Sequence, residues 1–210
     1  MDQLKKYQLD EAAKAFIAAI DRDRVCSLAS SFHRESWPCR IFGDVSKGGY
    51  NACFPIVFIT PEGNKADRWM VRVPLIPRLA FPEEKMRSEI TTMKYISEKI
   101  KIPVPRIYGY SMQGNNILGL PFLLLEYIEG KSLLTIRLNQ LSIDEQEHLY
   151  PQLSERYLEL SQQQKSDRIG ALTLDQNDDK WVFSHNRPLS IFVNGQVLGG
   201  LDACRHMGPS

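Results

Sequence analysis

The sequence predicts an α+β protein, and three observations carry that prediction. They are an apolar hairpin pattern between Ala52 and Val73, a helical stripe from Pro82 to Lys101, and a capping box at Ser142 heading a second helical stripe. A chain of 210 residues that is 43% hydrophobic and 24% charged can bury a core, which argues against a disordered or fibrous class.

In chain order, Leu9, Ala12, Ala13, Phe16, Ile17 and Ile20 recur at helical spacing with Glu11, Lys14 and Asp21 between them, which predicts one amphipathic helix within Leu9 to Phe32. Glu35 to Asp44 is less regular, with turns marked by Trp37-Pro38 and Gly43-Asp44. Lys47-Gly48-Gly49 is the sharpest glycine cluster and should lead into a strand. That strand is Ala52 to Thr60, rich in Val, Ile and Phe, and Pro61-Glu62-Gly63-Asn64 loops it into a second at Trp69 to Val73. A period of two sends Trp69, Val71 and Val73 to one face and Met70 and Arg72 to the other, so Arg72 is a charge on an otherwise apolar strand.

Pro82, Glu83 and Glu84 suit a helix start, where a missing N–H costs nothing and negative charge meets the positive end of the dipole. Ile90, Met93, Ile96 and Ile100 continue the stripe until Ile102-Pro103-Val104-Pro105 stops it, and Glu89 lies on its margin. Arg106 to Tyr110 and Pro121 to Ile128 read as two more strands, the second apolar enough to be central, ending at Glu129-Gly130. Ser142-Ile143-Asp144-Glu145 then opens a helix carried by Leu149, Leu153, Tyr157 and Leu160, which Pro151 should kink or split. Ile169 to Leu174 and Trp181 to Phe183 form a compact β pair across the turn Asp175 to Asp179.

The 26 Lys plus Arg against 25 Asp plus Glu leave a formal charge of +1, which supplies no field for nucleic acid or an anionic membrane; neither is expected as a partner. The longest apolar stretch, Leu118 to Ile128, is broken by Gly119, Pro121 and Glu126 and falls short of the roughly 20 residues a span requires. Met1 to Leu9 has no apolar segment after its charges, so the expected compartment is the cytosol. Cys26, Cys39, Cys53 and Cys204 show neither zinc spacing nor a disulfide framework and are expected to be inert reduced thiols. No metal site is expected in this chain.

Segments Gly48-Gly49-Tyr50-Asn51, Trp69-Met70-Val71-Arg72-Val73-Pro74, Ser88-Glu89-Ile90, Ile102 to Pro105, Leu125 to Gly130, Ile169 to Leu172 and Arg187-Pro188-Leu189-Ser190 together resemble the aminoglycoside phosphotransferase family, in its fungal branch. The resemblance implies a protein kinase-like N-terminal lobe, an antiparallel sheet of about five strands plus a helix, with a partial helical C-terminal lobe. It divides the chain into an N-terminal helical segment at 1–34, the kinase-like lobe at 35–130, the hinge-following helix and partial second lobe at 131–200, and an unmatched tail at 201–210.

By the same resemblance the chain binds nucleotide, with ATP as cofactor and magnesium in the parent family. Gly48 and Gly49, with Asn51 beside them, would let main-chain N–H groups approach the phosphates. Arg72 would take the place of the strand cation, held by Glu89 of the following helix. Arginine keeps the charge of the usual lysine but presents a planar fork. Met70 would lie over the adenine, and Glu126, Tyr127 and Ile128 would form the hinge whose main chain meets the adenine edge. Each has a plainer alternative: a hairpin turn for the glycines, a surface ion pair for Arg72 and Glu89, core filling for Met70, a strand end for the hinge.

The family's catalytic His-x-Asp-x-x-x-x-Asn loop has no counterpart, because Glu35, Tyr150, Arg187 and Gly208 stand two positions after His33, His148, His185 and His206. Asp202, before Ala203-Cys204, makes no metal motif. No catalytic residue is therefore assigned. The expectation is a chain ending before the catalytic and metal-binding loops and inactive as it stands, with an acceptor the resemblance does not specify. The alternative is a non-catalytic, pseudokinase-like nucleotide-binding or scaffold module. The helix from Ser142 to Ser161 would normally meet the second lobe, so a partner chain could cover its apolar face.

Overall fold

The structure is a computed structural model of the chain that describes residues 3–131, 135–136, 138–163, 170–174, 181–184 and 197–199. Arg187 to Ser190, His185, Asp202, Cys204, His206 and the turn at 175–179 lie outside the described residues.

The N-terminal stripe forms two helices, α1 (Gln3–Ala19) and α2 (Arg22–Phe32), where one was expected. Asp21 makes the break: its backbone is extended, and its side chain accepts from Asp23 N at 2.9 Å and Arg24 N at 3.2 Å, capping α2. Beyond α2 come two short strands, β1 (Cys39–Ile41) and β2 (Ser46–Lys47), in a region whose sequence indicated only turns. Both pair with the same edge of β3 (Asn51–Ile59), β1 against Ile56 to Phe58 and β2 against Ala52 and Cys53. Between them Phe42 N donates to Pro55 O at 2.9 Å, and Pro55 has no N–H to return. The edge strand is interrupted where the ladder lacks that donor, and Gly43, at φ 68°, takes the bend.

Strand β4 (Lys65–Pro74) pairs antiparallel with β3 and with β6 (Phe122–Glu126), and β5 (Ile107–Ser111) flanks β6. The sheet runs β1-β3-β4-β6-β5, with β2 also on β3, six antiparallel strands in all. Helix α3 (Pro82–Lys99) follows β4 through a 3-10 turn at Ile76–Arg78. This α+β arrangement matches the predicted kinase-like lobe.

Alternation divides the core in two. Ala52, Phe54, Ile56 and Phe58 of β3, Trp69, Val71 and Val73 of β4 and Leu124 of β6 pack with Ala13, Ile20, Val25, Leu28 and Ala29 of the N-terminal segment. On the other face Leu123 and Leu125 pack with Met86 and Ile90 of α3, and Met70 joins them. Thus α1 and α2 cover one face and α3 part of the other.

Helix α4 (Ile143–Ser161) begins with the predicted capping box, Ser142 Oγ accepting from Glu145 N at 3.2 Å and Glu145 Oε2 from Ser142 N at 2.8 Å. It continues through Pro151 instead of splitting; the proline forfeits one bond to the preceding turn, and the bonds on either side hold. Strands β7 (Ala171–Leu174) and β8 (Trp181–Ser184) form the expected small antiparallel pair, and α3 touches β7. Among the described residues no helix is long and apolar enough to cross a membrane.

Candidate functional site

Arg72 sits mid-strand in β4, opposite Cys53 of β3 and Leu123 of β6, on the face that α3 partly covers. Glu89, one position before buried Ile90, reaches it from α3, and Arg72 Nη2 is ion-paired with Glu89 Oε1. The two side chains are 25% and 23% exposed, so this is not the solvent-screened surface pair worth about 0–1 kcal/mol.

Asn51 supplies a third member. With its amide oriented to satisfy both ends, Oδ1 accepts from Arg72 Nη2 at 2.7 Å and Nε at 3.1 Å, and the amide nitrogen donates to Tyr50 O at 3.2 Å. Asn51 also closes the glycine turn, its carbonyl accepting from Gly48 N at 2.9 Å. One residue therefore ties turn and cation together. The space enclosed by Asn51, Arg72, Pro74, Met86, Glu89 and Leu123 is only about 10 Å³, too tight for a ligand, so the guanidinium is braced from behind. Nη1 has no partner among the described residues and is the donor left for an anion.

Gly48 and Gly49 do not have left-handed φ angles. A Cβ on Gly49 would meet nothing within 4 Å, and one on Gly48 only Asn51 O at 3.7 Å. Neither turn conformation nor packing requires these glycines; they leave bare main chain that a ligand can approach.

The turn is held from outside by groups that the sequence did not single out. Asp10 Oδ1 of α1 accepts from Lys47 Nζ at 3.3 Å and pairs with Arg78 Nη2 at 3.2 Å, while Arg78 Nη1 donates to Gly49 O at 3.1 Å. The hydrogen bond from Lys47, with the charge of Arg78, holds the Asp10 carboxyl below its ordinary pKa. Lys85 was also missed: its Nζ lies 3.0 Å from Glu89 Oε2 and 5.5 Å from the centre of the Tyr50 ring. Its i, i+4 spacing to Glu89 was the available signal. Nothing in the sequence brings Asp10 to residues 47 and 78.

At the predicted hinge the geometry is narrower than expected. Glu126 N donates to Arg106 O at 2.8 Å and Tyr127 N to Arg68 O at 3.2 Å, so both amides belong to the sheet. Glu126 Oε2 accepts from Arg106 N at 3.1 Å. Among the described residues Ile128 N–H keeps no partner, and Ile128 is 59% exposed. Adenine-edge pairing by the amides of Glu126 and Tyr127 would break existing bonds; Ile128 remains free for it. Arg68 braces this linker, bonded to Glu129 at 2.7 Å with its guanidinium 5.3 Å from the Tyr127 ring centre. Met70, on the same face as Arg72, packs with the α3-side core.

No cluster of three or more His, Cys, Asp or Glu side chains suited to a metal ion occurs among the described residues. What the geometry brings together instead is a guanidinium braced by Glu89 and Asn51 and tied through Asn51 to the glycine turn.

Residues 55–189, more than half of the chain, match the family model described as the phosphotransferase enzyme family, APH. The match includes Arg72, Glu89 and the hinge and begins just after the glycine turn. The chain is 44% identical over 52 residues to the Altered inheritance of mitochondria protein 9, mitochondrial, of Clavispora lusitaniae, covering 25% of this chain and 9% of that protein. It is 28% identical over 117 residues to a subtelomeric hrmA-associated cluster protein of Aspergillus fumigatus, covering 56% and 22% respectively. The aligned stretches thus span less than a quarter of these relatives' lengths. With more than half its length matched to the family and the sheet and helix order that its motifs predicted, this chain belongs to the APH phosphotransferase enzyme family.

Proposed function

We propose that this chain is an ATP-binding element of a kinase-like phosphotransferase, gripping the nucleotide phosphates between the turn Gly48–Gly49–Asn51 and the braced Arg72. The carrying observation is the chain of contacts from Gly48 through Asn51 to Arg72 and Glu89, which ties a guanidinium N–H with no partner among the described residues to a turn where a Cβ on Gly49 would meet nothing within 4 Å. Arginine favours phosphate oxygens through its planar fork, and Glu89 with Asn51 fixes that plane before a ligand arrives. Ile128 N–H is the hinge donor to the adenine edge, with Met70 on the adenine side of the sheet.

Phosphoryl transfer to a small-molecule hydroxyl is the parent family's reaction, and no His-x-Asp pair occurs among these 210 residues. We therefore assign binding to this chain and the acceptor-activating aspartate to none of its residues. Magnesium would arrive with the nucleotide and supply charge neutralisation to its phosphates. Its compartment we take to be the cytosol; the Clavispora relative carries the word mitochondrial in its name, and fractionating cells that express the chain distinguishes the two.

Calorimetric titration with ATP, with and without magnesium, tests the proposal against an Arg72→Ala variant. The expected result is saturable binding weakened about tenfold or more by the substitution, equivalent to ~1.4 kcal/mol. Absence of binding by the parent chain at millimolar ATP contradicts it and favours a scaffold role.

A further inference from the structure

Cys26 of α2 and Cys39 of β1 lie 13 positions apart in sequence, yet they meet where the helix packs on the edge strand. Cys39 pairs with Phe58, a residue of the α1–α2 core face, so the thiols lie on the opposite side of the sheet from Arg72. Both are free and partly exposed, and they line an open cleft of about 430 Å³ with Arg22, Asp23, Ser27 and Arg40. Cys39 Sγ donates to Cys26 O at 3.3 Å and accepts from Ser30 Oγ at 3.6 Å. With the Cys39 sulfur against the carbonyl of Cys26 and both residues lining one open cleft, the two thiols, on neighbouring elements, are placed to react with each other.

We propose that Cys26 and Cys39 form a peroxide-sensitive dithiol in which Cys39 is the attacking nucleophile and Cys26 the resolving thiol. The division of roles follows from the contacts. Hydrogen bonds from Cys26 and from Ser30 lower the Cys39 thiol to about 7, whereas Cys26, donating to Cys39 and partly buried, is pushed well above the ordinary range. Cys39 thiolate attacks one peroxide oxygen, breaking the O–O bond; one water leaves after protonation and Cys39 becomes a sulfenic acid. Cys26 then gives up its proton and attacks that sulfur, the sulfenic hydroxyl departs as a second water, and a disulfide remains. In sum, two thiols lose two hydrogens and two electrons to one hydrogen peroxide, which yields two waters. The product staples α2 to β1, and a dithiol reductant reverses it.

The test is to treat the folded full chain with stoichiometric hydrogen peroxide, block remaining thiols, digest with trypsin and map disulfides by mass spectrometry. The expected product joins the peptide Val25–Arg34 to Glu35–Arg40, with Cys53 still reduced because burial raises its thiol. Its yield should fall at least tenfold when the chain is oxidised in denaturant, and the oxidised chain should melt at a higher temperature than the reduced one. Cys26→Ser should leave a sulfenic acid at residue 39 that dimedone traps, and Cys39→Ser should lower peroxide consumption at least tenfold. Equal peroxide consumption by the Cys39→Ser chain overturns the proposal. So does a map dominated by links through Cys53 or Cys204, and that result needs no variant to fold.

Discussion

At position 72 a guanidinium is held by a carboxylate from one element and an amide from another, and its loss would leave Asn51 Oδ1 without that donor and Glu89 with Lys85 alone. Removing one member of a largely desolvated, hydrogen-bonded set costs more than the pair's net worth. Arg72→Ala should therefore destabilise the fold by about 1–3 kcal/mol in urea melts. Arg72→Lys, which keeps the charge but cannot serve Asn51 and Glu89 through one plane, should fall between parent and alanine variant; a lysine chain as unstable as the alanine one would mean that charge contributes nothing here. Arg72 and Glu89 were legible in the sequence for local reasons: a period of two gives Arg72 a face, and the margin of a 3.6-residue stripe gives Glu89 a direction. Asn51 was legible only by family likeness. The Asp10, Lys47 and Arg78 cluster was not legible, because it joins a helix, an edge strand and a 3-10 turn through side chains alone.

Among the elements, β3, β4, α3 and α4 were readable because periodicity and a capping box mark them. The break at Asp21 was hidden, since the apolar positions before it continue in spirit through Val25 and Leu28 and only the cap interrupts them. The split edge strand was hidden too, because it depends on which side of β3 the N-less face of Pro55 points. The docking of α1 on the glycine turn has a pH consequence. A folded Asp10 carboxyl held below its unfolded pKa, about 4, contributes stability that is present above that value and lost as pH falls through the folded one. Melting temperatures of the parent and an Asp10→Asn variant should thus differ at pH 6 and converge on acidification toward pH 3, and added salt at pH 6 should shrink the gap. A gap that persists into acid would mean that Asp10 acts through something other than its charge.

For the molecule as a whole, the two faces of one sheet have different tasks. The α1–α2 face buries a continuous core, while the α3 face carries the braced cation and an open flank beside it. Helix α4 is different: none of its residues is buried, and Ile143, Tyr157 and Leu158 are 73%, 66% and 61% exposed. Apolar side chains so exposed gain free energy by burial. The isolated chain should enhance ANS fluorescence in its native state, and Tyr157→Glu with Leu158→Glu should remove most of that signal; unchanged fluorescence would place the exposed surface elsewhere. The central claim concerns the Arg72 site and is tested most directly by titrating a nitrogen-15-labelled chain with ATP and magnesium and following amide and guanidinium resonances. Saturable shifts should appear together at Gly48, Gly49, Asn51, Ile128 and the Arg72 side chain, while Glu126 and Tyr127, already bonded within the sheet, move less. Shifts confined to other surfaces, or none at millimolar nucleotide, would contradict the phosphate grip.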